Sequence, residues 1–199
     1  MKTITMKTII TVIFFGILTY AVAQRPATLS QCQSDLPAKQ DLSIETFFKD
    51  SWFVTHIKDG GNEATCREYK SNIENGAIKL NAVGEHKLNR DQNKHSTTNC
   101  SSSRGKTLKP EGPFVLQCRH TYYGDNERTT FFGMSFSVIE TDYTDYALVY
   151  RCTKYTNMNY ITGNLLLLHR SKTADGSKAT ESLQKLNLLL SQFQKTEGC

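Results

Sequence analysis

The chain contains no G-x-S-x-G nucleophile elbow, no phosphate-binding G-x-x-x-x-G-K and no H-E-x-x-H. The common hydrolase, nucleotide-hydrolysing and metalloprotease chemistries therefore have no local framework, and no enzyme is expected. Five histidines are present, but none stands beside a nucleophile in the sequence. His95, His120 and His169 are expected to be solvated surface residues. Close Cys/His pairs of the kind that hold zinc are also missing. After the N-terminal segment no apolar run reaches bilayer length, so no membrane span is expected there. The 24 Lys and Arg are scattered among 19 acids rather than gathered on one stretch, which argues against a nucleic-acid reader.

Residues 1–23 read as a secretory signal peptide: a lysine-containing start, an apolar run from Ile9 to Leu18, and Ala21-Val22-Ala23 as an A-x-A cleavage site. Met6-Lys7-Thr8-Ile9 repeats Met1-Lys2-Thr3-Ile4, so either Met could start the same mature chain. Residues 24–199 are then one domain, long enough for a single barrel with a core of its own. Export makes the six cysteines a disulfide framework. Six cysteines allow fifteen connectivities. Spacing favours Cys100 with Cys118, which close a polar, Gly/Pro-containing loop. Asn99-Cys100-Ser101 is a formal N-glycosylation sequon whose central Cys is itself a bridging candidate.

The most structured stretch runs from Thr129 to Cys152, where two Phe-, Val-, Tyr- and Leu-rich runs flank a Glu-Thr-Asp-Tyr-Thr-Asp turn. That pattern specifies a β-hairpin. Eight strands can be drafted at even spacing, separated by Gly-, Asn- and Asp-bearing turns. They are Ser51–Lys58, Ala64–Ser71, Ala77–Gly84, Lys94–Cys100, Phe114–Tyr122, Thr129–Glu140, Tyr146–Lys154 and Ile161–Arg170. An all-β, antiparallel up-and-down barrel follows. A Pro-broken arm from Gln24 to Gln40 and a helical turn over Leu42–Lys49 precede it. Ala179, Leu183, Leu186, Leu190 and Phe193 recur at spacings of three and four, which predicts one helix from Ser177 to about Gln194 packed outside the barrel.

Thr141-Asp142-Tyr143, with Trp52 in the first strand and Arg170 at the end of the last, resembles the signature set of the lipocalins. In that fold the Arg lies across the Trp at the closed barrel end, a cation–π contact of about 0.5–2 kcal/mol. Asp50 departs from the pattern, which has Gly two residues before the Trp. VTHIKDGGNEATCREY (Val54–Tyr69) and ETDYTDYALVYRCTK (Glu140–Lys154) further resemble the triabin-like salivary lipocalins of blood-feeding bugs, over nearly the whole mature chain. The resemblance implies an eight-stranded lipocalin barrel with about three disulfides, secreted into saliva and expected to act as a monomer. It also implies the bridges Cys32–Cys152 and Cys66–Cys199 beside Cys100–Cys118. Its implied function is anti-haemostatic: a calyx that traps a small anionic host mediator, an adenine nucleotide or a thromboxane-like eicosanoid, and so inhibits platelet aggregation. The alternatives are a surface binder of a host clotting or contact-phase protein, and a carrier of biogenic amine or haem-bound nitric oxide. Haem is not expected, because Gly84 stands where nitrophorins keep the proximal His; His86 is the one candidate considered.

Given those bridges, side-chain alternation assigns faces. Cys152 must reach an external arm, which turns Arg151 and Val149 inward. Cys66 must reach an external tail, which turns Thr65, Arg67 and Tyr69 inward. A Cys118 bridged at the outer wall would turn Gln117 and Arg119 inward as well. Arg67, Arg119 and Arg151 would then share one cavity and call for an anion, with Tyr69, Phe132 and Tyr150 as nearby aromatics. The alternative is that these arginines sit at a wet rim or pair with Glu63, Glu68 or Glu85.

Overall fold

In a computed structural model, residues 28–60, 66–89, 92–123 and 127–199 are described, without the side chains of residues 85–95 and 156. The signal segment, Ala64, Thr65 and the side chains of Glu63, Glu85, His86 and His95 lie outside the described residues. Eight long strands follow in order: β1 (Ser51–Lys58), β2 (Arg67–Glu74), β3 (Ala77–Asn89), β4 (Gln92–Ser102), β5 (Phe114–Tyr122), β6 (Arg128–Thr141), β7 (Tyr146–Tyr155) and β8 (Tyr160–His169). Each pairs antiparallel with its sequence neighbour, and β8 and β2 both pair with β1, which closes the sheet into a barrel. The eight drafted strands are present. The largest shift is in β3, which runs on to Asn89, and β2 ends at Glu74 rather than Ser71 because Asn75 and Gly76, at φ 51° and 71°, form the two-residue turn into β3.

One end of the barrel is sealed by aromatic packing. The short helix α1 (Ile44–Phe47) buries Ile44 and Phe47, and Phe47 stacks on Trp52 at 5.5 Å while Phe48 meets Phe114 edge-on at 5.1 Å. Trp52, only 1% exposed, donates its indole N–H to Phe47 O at 2.9 Å. The Arg170 guanidinium lies 3.7 Å over the Trp52 ring. From there it donates to Tyr143 O, Lys49 O and Ser51 O at 2.8–3.1 Å, with a longer contact to Thr46 O. Asp50 has φ 65°; the backbone here is left-handed, which suits Gly and which Asp tolerates better than most residues. The β6–β7 corner is held by Asp142 Oδ1, which accepts three backbone N–H groups from Thr144, Asp145 and Tyr146.

The three disulfides are Cys32–Cys152, Cys66–Cys199 and Cys100–Cys118. The first straps the N-terminal arm over β7 and β8, where Leu29 N–H donates to Ile161 O and Gln33 N–H to Tyr150 Oη. Gly163 makes room for this arm: a Cβ there would collide with the Tyr150 phenol and with Leu29 Cδ1 at 2.7 Å. Tyr150 therefore faces outward under the arm, not the cavity.

The single long C-terminal helix is not what forms. A 3-10 turn (Ser177–Ala179) leads into helix α2 (Thr180–Lys185), which ends at once. Asn187, at φ 56°, takes the left-handed position after the helix, with Asn187 N–H donating to Gln184 O and Leu188 N–H to Leu183 O. Beyond it the chain extends into a two-residue strand, β9 (Gln194–Lys195), paired with β1 at His56 and Ile57. β1 pairs with β2 only through Ser51–Phe53, so β9 takes over the edge that β2 leaves. Thr196 Oγ1 is 2.7 Å from Val54 O, and Cys66 N–H donates to Glu197 O at 2.8 Å. The tail is thus part of the barrel wall. Sequence periodicity missed it because Leu183 and Phe193 are both buried in one cluster under two different backbone conformations.

Under this tail lie two buried histidines, His56 (4% exposed) and His169 (2%), so His169 is not a surface residue. Thr55 Oγ1 sits 2.6 Å from His169 Nδ1 and 3.0 Å from His56 Nδ1, and His169 Nε2 is buried with no hydrogen-bond partner among the described residues. Burial, reinforced by His56, pulls the His169 pKa down to about 4, against the opposing pull of Asp175, Asp142 and Asp145.

Two outcomes are expected of this frame. Arg170→Ala should lower the unfolding free energy by about 2–4 kcal/mol in urea, since several carbonyls lose a charged donor along with the ring contact, and Arg170→Lys should recover only part of it. His169 is neutral when folded, with a pKa below the unfolded value near 6.5, so its stabilisation is full above that pH and is lost as pH falls toward 4. The loss is up to about 3 kcal/mol. His169→Gln should flatten the stability profile across that window; a slope as steep as the parent's would refute the assignment.

Candidate functional site

Among the described residues a cavity of about 690 Å3 lies inside the barrel, away from the sealed end. Alternation fills its wall from the sheet's inner face. Arg67 is half-buried at the start of β2, and its side chain lies along the wall at Gly84, whose absent Cβ would stand 3.4 Å from Arg67 Cγ. Deeper, Arg151 on β7 donates from Nη1 to Tyr69 Oη at 3.0 Å and from Nη2 to Asn164 Oδ1 at 2.8 Å. Asn164 is in turn held by its Nδ2 donating to Asp59 O. Arg151 is therefore fixed by neutral groups, and its Nε is buried without a partner among the described residues.

Above this polar rung the wall divides by chemistry. Phe132, Tyr155 and Tyr160 form an aromatic run with ring centroids 5.2 and 5.9 Å apart. Ile57, Leu80, Ala82 and Met134 supply aliphatic wall. On the adjoining strands β4, β5 and β6, Ser96, Thr98, His120 and Thr130 present polar groups, with Thr98 Oγ1 2.8 Å from His120 Nδ1. No Asp or Glu is among the described residues lining the cavity.

Arg67, Tyr69, Arg151 and Phe132 are thus brought together. Arg119 is not: it points outward and is exposed, as is Gln117. The reason is the Cys100–Cys118 bridge. Its residues face each other across β4 and β5, and both are buried in the inner core at 5% and 3% exposure. A bridge between directly opposed residues fits either face, so it could not anchor the parity. The better signal was the strand's own alternation, with Phe114, Leu116 and Cys118 inward and Val115, Gln117 and Arg119 outward. The same alternation would have placed His120 in the cavity rather than at the surface. Val149 does point inward, but it packs in the closed core and does not line the cavity. Glu68 sits on the outer face, accepting from Ser51 Oγ and 3.5 Å from Lys70, away from the arginines.

A family model described as Triabin matches residues 22–183. The chain belongs to the Triabin family. Triafestin-2 and Triafestin-1 of Triatoma infestans are 30% and 31% identical to it, each over 98% of this chain and 94% of their own. Pallidipin of Meccus pallidipennis is 28% identical over 94% of each chain. Among solved structures, the tryptamine complex of the amine-binding protein of Rhodnius prolixus superposes with a TM-score of 0.60 at 20% identity, over 82% of this chain and 85% of that one. A leukotriene C4 complex of LTBP1 does so with a TM-score of 0.54 at 20% identity, over 87% and 98%. These likenesses carry the lipocalin fold. Membership of the Triabin family makes the chain a lipocalin-type binding protein.

Proposed function

We propose that this salivary lipocalin traps a small amphiphilic anion in its calyx, with an oxygenated fatty acid of the eicosanoid class favoured over an adenine nucleotide, and so withdraws a host platelet agonist. The observation that carries the reading is Arg151, a guanidinium inside the barrel whose two hydrogen-bond acceptors are neutral. A cation so placed is costly unless an anion meets it, and two of its five N–H donors serve the protein. Arg67 adds a second charge, but Arg119 does not add a third, which leaves the site matched to one carboxylate better than to a chain of phosphates. The aliphatic and aromatic wall suits a hydrocarbon body, and the Ser and Thr hydroxyls suit its oxygen substituents.

An amine would want a carboxylate, and none is among the described lining residues. The wall at Gly84, where a haem-ligating His would have stood, is covered by the Arg67 side chain, which supports a site without haem. Secretion is supported by three bridges among six cysteines.

Equilibrium dialysis of the full mature protein should show saturable, one-to-one binding of a hydroxylated C20 fatty acid and weaker binding of ADP. Fatty-acid affinity should change little with salt, because most of it comes from apolar burial at about 25 cal/mol per Å2. Arg151→Ala should weaken it by about 10- to 150-fold, the equivalent of one charged hydrogen bond of about 1.5–3 kcal/mol. An Arg151→Ala protein that binds every anion as tightly as the parent would remove the reading. A clotting delay without ligand binding would favour the protein-surface alternative.

A further inference from the structure

The outer face of β2–β6 carries a second, independent arrangement. Register places Lys70, Asn81, Asn99, Arg119 and Phe131 side by side, one per strand, in a single cross-strand row. The next outward row is Asn72, Lys79, Ser101, Gln117 and Gly133. All of these but Gly133 line a depression of about 650 Å3 on the outside of the wall.

Its floor is preformed. Asn81 Nδ2 donates to Asn99 Oδ1 at 2.6 Å and Lys79 Nζ to Ser101 Oγ at 2.8 Å, so these side chains lie flat across the strands. Phe131 stands at one end, 63% exposed. Beside it Gly133 leaves open space, since a Cβ there would meet nothing within 4 Å. Three cations, Lys70, Lys79 and Arg119, share the face. Arg119 forms no ion pair with a described residue, and no Asp or Glu is among the described residues lining the depression; Glu68 is engaged by Ser51 and Lys70.

We propose that this face is a binding site for an anionic polysaccharide, a sulfated or uronate-bearing glycan of the kind found on cell surfaces. Amides side by side offer donors and acceptors to sugar hydroxyls, an exposed aromatic offers a platform for a sugar ring, and spaced cations pair with sulfate or carboxylate. Phe131 is the one aromatic side chain in the lining, and it stands at the margin rather than the centre. Neighbouring strands are about 4.8 Å apart, so Lys70 and Arg119, three strands removed, stand roughly 14 Å apart and would meet successive anionic groups on an extended chain. The site is separate from the calyx and does not depend on its ligand.

The test uses the full mature protein secreted from insect cells, with fluorescein-labelled heparin oligosaccharide as probe in anisotropy titrations. The parent should bind, and lose at least tenfold in affinity when the heparin is desulfated. Lys79→Glu with Arg119→Glu should weaken binding at least tenfold, and Phe131→Ala should weaken it about threefold. Arg151→Ala, inside the calyx, should change nothing. All the substituted side chains on this face are outward, and retention of the parent's near-ultraviolet dichroism marks the variants as folded. Equal binding of polyglutamate, or of vesicles rich in phosphatidylserine, would reduce the face to a non-specific basic patch and overturn the proposal. An unaffected Lys79→Glu, Arg119→Glu variant would overturn it too, as would finding Asn99 carrying an N-glycan, which would cover the row.

Discussion

The closed end of the barrel depends on one cation. Arg170 lies over Trp52 and at the same time serves carbonyls from the helical lead-in, the start of β1 and the β6–β7 corner. Those carbonyls belong to segments far apart in sequence. Burial works against the guanidinium's charge while Asp50 and Asp142 support it. The result is a fixed floor, on which the inner face of the sheet can leave space above without collapsing. The calyx exists because the packing beneath it is complete.

Both termini are recruited to the wall for a related reason. β1 is shared between β8, β2 and β9, and bulges where its neighbour changes. An unpaired stretch of β1 would leave backbone N–H and C=O groups exposed at an edge. The C-terminal tail covers that edge, Cys66–Cys199 keeps it there, and the His56–Thr55–His169 cluster is sealed beneath it. The N-terminal arm does the same service for the outer face of β7 and β8, where Gly163 gives it room. Each bridge spans well over a hundred residues, so in the chain-entropy view each stabilises by roughly 4–5 kcal/mol through the unfolded state.

The calyx and the outer face are two readings of one alternation. Along β5, His120 reaches the cavity while Arg119 reaches solvent. A one-residue error in parity moves a charge from one site to the other, which alters the chemistry of both. Placing the Cys100–Cys118 bridge inside the barrel turns a cation that would have served the calyx into part of a basic outer row.

The sequence by itself determined the strand order and the hairpin corner, because these are carried by local turn chemistry and apolar alternation, whereas the Trp52–Arg170 pairing and the two long-range disulfides were legible only through the resemblance to the salivary lipocalins. Given those two bridges, alternation then turned Arg67, Tyr69 and Arg151 inward, since an external arm and tail leave Cys152 and Cys66 only one side. Only the tertiary structure decided the face of Cys118, because directly opposed residues on adjacent strands can be bridged from either side of a sheet. It alone decided that the C-terminal apolar pattern breaks at Asn187 into helix and strand, because the unfilled edge of β1 competes with helix propensity. The burial of His169 likewise came from packing, as the tail that covers it is distant in sequence and periodicity along β8 gives no sign of it.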